Sequence, residues 1–149
     1  MGTAPSHRRT LDDFGAACRR VGVAPTQQRR LIYRVLAESE DHPTADEVHR
    51  RVRAIAPGVS LATVYRNLRL FARAGLIEEV ATGANFARYD ANRAAHHHLV
   101  CKRCGRVADT STGGEVGRGA VGRTVDGFEV HDVRVNFVGL CPACRANRS

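Results

Sequence analysis

The sequence predicts an α+β fold in two small domains, an N-terminal set of helices closed by a hairpin and a C-terminal α/β unit pinned by cysteines. Three observations carry this. Apolar residues recur at helical spacing behind a series of capping positions as far as Gly75. Two strand-like runs then flank a turn at residues 82–85. Beyond His96 short strands surround two Cys-x-x-Cys pairs. The division falls at residue 90, giving domains of 1–90 and 91–149, with residues 1–9 expected to be a disordered lead-in.

In chain order, Thr10 and Asp13 are expected to cap a first helix that carries Leu11, Phe14 and Val21 and ends near Gly22. Pro25-Thr26 opens a second helix with Leu31, Ile32, Val35 and Leu36 on its apolar side. Thr44-Ala45-Asp46-Glu47 reads as a capping box for a third, bearing Val48, Val52 and Ile55. Pro57-Gly58 breaks the chain, and Ser60 caps a fourth helix that stops at Gly75. On that fourth helix, at about 100° per residue, Leu61, Val64, Leu68 and Phe71 fall within an arc of roughly 80°, while Arg66, Arg69 and Arg73 fall within a separate arc of roughly 60°. One face packs and the other presents cations, as a helix reading a DNA groove requires; a solvated surface helix would have the same pattern.

Residues 76–80 and 86–89 form strands around the turn Thr82-Gly83-Ala84-Asn85, so helices run directly into a hairpin, the order of a winged helix. In the second domain, residues 97–101 and 106–109 are short strands around the first cysteine pair. Residues 111–125 are Gly-rich and weak as a helix, and alternating Val133, Val135 and Phe137 predict a strand leading to the second pair.

Composition narrows the function. The chain of 149 residues is 43% hydrophobic and 26% charged, enough to bury real cores. Its net charge of +8 and pI near 10.1 point to a polyanionic partner. No apolar run approaches the roughly 20 residues of a membrane helix, and no signal-peptide core is visible, so a cytoplasmic protein without a membrane partner is expected. In that compartment Cys101-x-x-Cys104 and Cys141-x-x-Cys144 suit one tetrahedral structural zinc ion (Zn2+) better than disulfides, and a redox dithiol would need only one pair. Cys18 reads as a small buried residue. The run His96-His97-His98 places His96 and His98 on one face of a strand, with Asp90 before it and Asp109 after. Such nitrogen and oxygen donors suit Fe(II), Mn(II) or Zn(II); an exposed polar stretch is the plainer alternative.

Five segments together resemble the ferric uptake regulator (Fur) family: Pro25-Thr26-Gln27-Gln28-Arg29, His42-Pro43-Thr44-Ala45-Asp46-Glu47, Ala62-Thr63-Val64-Tyr65-Arg66-Asn67-Leu68, His96-His97-His98-Leu99-Val100-Cys101 and Gly139-Leu140-Cys141-Pro142-Ala143-Cys144. The likeness runs from about Leu11 to Cys144. It implies an N-terminal winged helix, a C-terminal α/β dimerisation domain, and a homodimer on double-stranded DNA with a palindromic operator. It also implies a reading helix carrying Tyr65 and Arg66, with Ala62, Thr63 and Arg69 on the same helix and Arg29 beside it as DNA-binding residues.

Within the family the chain is most similar to the peroxide-sensing (PerR) branch. Its regulatory ion, Fe2+ or Mn2+, is held at positions that read His42, Asp90, His96, His98 and Asp109 here. Zinc-uptake regulators commonly have Cys at the position of Asp90, and iron-uptake regulators more often have Glu at those of Asp90 and Asp109. Val133 stands where many members have a further His, and Ala95 where some do; His131 is no obvious replacement, so the resemblance carries no additional peripheral metal site onto these positions. The expected function is a metal-dependent repressor, not an enzyme and without a small-molecule substrate. It would release its operator when iron-bound peroxide chemistry oxidises His42 or His96. An iron, manganese, nickel or zinc uptake regulator of the same family is the alternative. A zinc hydrolase built on His96 and His98 would need a substrate loop and a general base that no segment resembles, and a plain zinc ribbon would leave Asp90, His96, His98 and Asp109 unexplained.

Overall fold

Capping chemistry sets the first unit. In the computed structural model, which describes residues 13–92, 96–113 and 115–147, the chain forms two compact units, the first up to residue 92 and the second from residue 96. The first holds α1 (Phe14–Arg20), α2 (Gln27–Ala37), α3 (Ala45–Ile55) and α4 (Leu61–Arg73), then β1 (Glu78–Ala81) and β2 (Ala87–Asp90). Thr26 Oγ1 accepts from Arg29 N, Ser60 Oγ accepts from Thr63 N, and both halves of the Thr44–Glu47 capping box are made. Each such cap stabilises its helix by about 1 kcal/mol. At the other ends, Gly22 and Gly75 take φ of 73° and 71°. The next amides donate back, Val23 N to Cys18 O at 2.8 Å and Leu76 N to Phe71 O at 2.9 Å, so both helices stop in Schellman turns.

The core of this unit is aromatic at its centre. Phe14 stacks on Tyr33 with centroids 4.3 Å apart, and Phe71 meets both rings edge-on. Ile32, Leu36, Val48, Val52, Val64, Leu68 and Cys18 complete it, each buried. A buried aliphatic side chain of this kind contributes about 1.5–3 kcal/mol.

The structure departs from three expectations. Asp13 occupies the N-cap of α1 but its side chain makes no cap hydrogen bond; its αR backbone does not present the carboxylate to the first amides. Ile55, the last residue of α3, is 58% exposed, because the helix ends beyond the edge of the core. The first hairpin strand begins at Glu78: Leu76 and Ile77 are buried in the core, while pairing starts at Glu78↔Asp90 and ends at Ala81↔Ala87, which leaves Phe86 in the turn. Thr10, Leu11, the lead-in 1–9 and Ala95 lie outside the described residues.

The second unit is a three-stranded sheet ordered β4-β3-β7, from β3 (His97–Cys101), β4 (Val107–Thr110) and β7 (Asn136–Gly139). β3 pairs antiparallel with β4 and parallel with β7, so the chain must cross over between β4 and β7. The crossover holds the Gly-rich stretch, whose described residues include a 3-10 turn (Arg118–Ala120), and the hairpin of β5 (Thr124–Val125) and β6 (Phe128–Glu129). Asp126 and Gly127 both have positive φ, 46° and 84°, the backbone of a tight two-residue hairpin turn. The predicted strand 133–137 starts only at Asn136, since β3, its partner, begins at His97 and its ladder with β7 at His98↔Asn136. Val133, Val135 and Phe137 still alternate half-buried with exposed neighbours. A short α5 (Pro142–Ala146) follows the second cysteine pair.

Candidate metal centres and nucleic-acid interface

The four cysteines arrive from two turns. Cys101 ends β3, and Gly105, with φ of 72°, donates its amide to Cys101 O at 2.9 Å to close the first knuckle. Cys141 is the N-cap of α5, its Sγ accepting from Cys144 N, while Lys102 N donates to Gly139 O and fixes one knuckle against the other. Register does the rest, pairing Cys101 with Gly139. All four Sγ atoms lie within 4.8 Å of one another, and Cys104 Sγ is 3.7 Å from Cys141 Sγ. A zinc ion with Zn–S bonds of about 2.3 Å sets tetrahedral S···S edges of about 3.8 Å, so the cluster suits zinc.

Backbone amides, that of Cys104 first, draw the Cys101 thiol down to about 6, and the amide of Cys144 lowers Cys141. Hydrogen bonding to Cys141 pushes Cys144 up to about 12. An ion entering at neutral pH displaces that last proton, so acid opposes binding. Arg103, inside the first knuckle, donates to Cys144 O at 3.2 Å and Asn147 O at 2.7 Å, closing the end of α5. A cation between two cysteines is the only sequence signal for this role.

Each unit assembles its own part of the predicted regulatory set. In the first, His42 and Asp90 are both buried, with Nε2 3.2 Å from Oδ2, and His42 has the uncommon φ of 50°. In the second, β-strand alternation and the His98↔Asp109 register converge three donors. His96 Nε2 and His98 Nε2 are 3.0 Å apart, their rings edge-on, and each lies 3.5 Å from Asp109 Oδ1. Imidazole and carboxylate donors of this kind suit borderline divalent ions. His97 points the other way; its ring and that of Phe137 line the space beside Gly113, where a Cβ would sit 2.6 Å from Phe137.

The fourth helix separates its faces as the periodicity predicts. Val64, Leu68 and Phe71 are buried, whereas Ala62, Tyr65, Arg66, Arg69 and Arg73 are exposed. Thr63 is half-buried and its hydroxyl bonds Ser60 and accepts from Arg66. Arg29 is half-buried too: Nε donates to Asn67 Oδ1 at 3.1 Å and Nη1 to Ala24 O at 2.9 Å. Together Thr26, Gln28, Arg29, Thr63, Arg66 and Arg69 line a polar concavity of about 640 Å³. Asn67, buried on the packed side of α4, donates to Thr63 O; a lone amide among apolar positions is the sequence feature that marks it.

Helices closed by a hairpin, a cationic fourth helix, and a sheet ending in four convergent thiols define a winged-helix protein with a zinc-binding domain. The chain belongs to the ferric uptake regulator family of DNA-binding transcription regulators, whose model matches residues 20–138. It is 36% identical over 137 residues to the peroxide-responsive repressor PerR of Staphylococcus aureus, covering 91% of each chain. Among solved structures it resembles the ferric uptake regulator of Pseudomonas aeruginosa with manganese, at 28% identity and TM-score 0.70 over 86% of this chain and 97% of that one. It also resembles PerR of Streptococcus pyogenes, described in terms of peroxide sensing and gene regulation, at 27% identity and TM-score 0.52 over 91% and 92%. Among the described residues no helix is long and apolar enough to cross a membrane.

Proposed function

We propose that this chain is a cytoplasmic, metal-dependent transcriptional repressor that senses peroxide, with a reader domain over residues 1–90 and a sensing and dimerising domain over 91–149. The observation that carries the reading is the donor chemistry: His42 against Asp90, and His96, His98 and Asp109 converged, with aspartate as every carboxylate. Likeness over nine-tenths of the chain to a peroxide-responsive repressor supports it.

In this reading Cys101, Cys104, Cys141 and Cys144 hold a structural Zn2+, and His42, Asp90, His96, His98 and Asp109 together hold one regulatory Fe2+ or Mn2+. Bound Fe2+ would supply the electron that splits the O–O bond of peroxide. The protein's part is to hold imidazoles beside that chemistry. His42 and His96 are the rings expected to gain an oxygen, and a ring so altered no longer donates as before. Because the ligand set is drawn from both domains, occupancy would favour one arrangement of the reading helices and ligand loss would release it. Arg29, Ala62, Thr63, Tyr65, Arg66 and Arg69 would meet the duplex, the arginines at phosphates or guanine edges. This is self-modification without turnover, so no enzyme activity is assigned.

A homodimer on a palindromic operator follows from the paired geometry such readers use. An apolar concavity of about 380 Å³ over the sheet, with Leu99 46% and Val138 66% exposed, is the surface that supports a second copy. The test of the sensing step is anaerobic loading with Fe(II) or Mn(II), a limiting pulse of peroxide, and peptide mass spectrometry. One added oxygen on the peptide of His42 or His96, with iron only, is expected. Intact histidines under iron would turn the assignment to an uptake regulator that responds to metal level alone, a reading that the Pseudomonas likeness favours.

A further inference from the structure

His42 carries a backbone strain that something must hold. At φ of 50° it stands in the left-handed region, which a non-glycine residue occupies only where its surroundings enforce it. Arg88 supplies the enforcement: its Nη1 donates to His42 O at 3.0 Å and lies 3.4 Å from Glu47 Oε2. That same Glu47 oxygen accepts from Thr44 N at 2.8 Å in the capping box. Tyr89 N donates to Pro43 O at 3.0 Å. The turn 42–44 is therefore gripped at three consecutive residues, from β2 and from the first turn of α3.

Strand alternation gives this grip its meaning. Arg88 and Asp90 are two residues apart on β2 and face the same side. Arg88 takes the main chain of His42 while Asp90 meets its imidazole at 3.2 Å. The Arg88 side chain is only 16% exposed, and its guanidinium also lies 5.5 Å from the Phe86 ring centroid in the hairpin turn. A planar, permanently charged fork can bond a carbonyl and a carboxylate at once, which a lysine ammonium does less well.

We propose that Arg88 is a positioning residue for the regulatory ion, fixing the strained main chain of His42 so that its imidazole stands ready beside Asp90, and linking that ligand to the hairpin turn through Phe86. The proposal rests on His42 and Asp90 being ligands, as proposed above. Without Arg88, His42 relaxes towards ordinary backbone, and an incoming ion must bear the cost of restoring it.

The test uses the full-length, zinc-containing chain with Mn(II) as probe, free Mn(II) being read by electron paramagnetic resonance. Arg88→Met is expected to weaken Mn(II) about tenfold, to leave the melting temperature before Mn(II) is added near that of the parent, and to add nothing in a His42→Ala background. Arg88→Lys, which keeps the charge and guards against a variant that fails to fold, is expected to fall between. Parent-like Mn(II) affinity in both Arg88 variants overturns the proposal, as does a tenfold loss that persists without the His42 imidazole. His42→Ala binding Mn(II) like the parent removes the ligand assignment itself, whereas dependence on His42 but not on Arg88 removes this proposal alone.

Discussion

Asn67 is a polar side chain on the buried side of α4, a position that is tolerated only when its groups are bonded. Its Nδ2 donates to Thr63 O at 2.8 Å, and its Oδ1 accepts from Arg29 Nε at 3.1 Å. The pair holds the start of α2 against the cationic helix, and it holds the Arg29 guanidinium in one place. Asn67→Ala leaves Arg29 Nε and Thr63 O without this side chain, while Arg29 Nη1 keeps Ala24 O, and is expected to cost about 1–3 kcal/mol, read as a lower urea midpoint at unchanged slope. Asn67→Asp keeps the acceptor for Arg29 but loses the donor to Thr63 O, so it should recover only part of the loss; a loss in Asn67→Asp larger than in Asn67→Ala would mean that the bond to Thr63 outweighs the bond to Arg29. Nothing local in the sequence announces either this contact or that of Arg88, because the partners stand 38 and 46 residues apart. Cys18 was legible by contrast: its helix, its apolar neighbours and its type all predicted the buried thiol, whose ionisation burial makes harder.

At the scale of elements, the two knuckles do what hydrophobic burial cannot do in a three-stranded sheet whose crossover is largely exposed. Few of its side chains are buried, and the residues between β4 and β7 contribute a turn and a hairpin rather than a packed helix. Structural zinc in small domains is worth on the order of 10–16 kcal/mol at neutral pH. Cys104→Ser should therefore empty the site, seen as loss of zinc by elemental analysis, and should melt this unit early. A variant that keeps both its zinc and its melting temperature would show that three thiolates suffice and that the fourth is incidental. Falling pH acts in the same direction as the mutation. Protons compete for thiolates, and the backbone amides that draw the Cys101 thiol down to about 6 favour the form an ion binds. The elements themselves were legible wherever a cap and a period coincided, as at Thr26, Thr44, Ser60, Gly22 and Gly75. They were misjudged at ends, where tertiary packing decides: Ile55 continues an apolar period past the core, and Val133 and Val135 alternate as a strand would but run ahead of their partner β3.

For the whole molecule, capped helical periods, the strand-turn-strand pattern and the two Cys-x-x-Cys pairs make a helical unit and a cysteine-pinned sheet plain in the sequence. Less plain was how little of the second unit is regular: the Gly-rich crossover was recognised as a poor helix, but no pattern fixed the hairpin at Asp126-Gly127 in its place. The sign of the net charge, +8, fits a polyanionic partner, while its direction on the surface comes from Arg66, Arg69 and Arg73 on one face of α4. If one regulatory ion governs DNA binding, its presence must change how tightly the chain holds a duplex. This is tested most directly by sedimentation of the zinc-containing chain with a duplex selected from random sequences, with and without Mn(II), for the parent and for His42→Ala. Two chains per duplex are expected, bound at least tenfold more tightly with Mn(II), with that gain lost in His42→Ala. Binding of equal strength without Mn(II), or a full Mn(II) response in the His42→Ala chain, would contradict it.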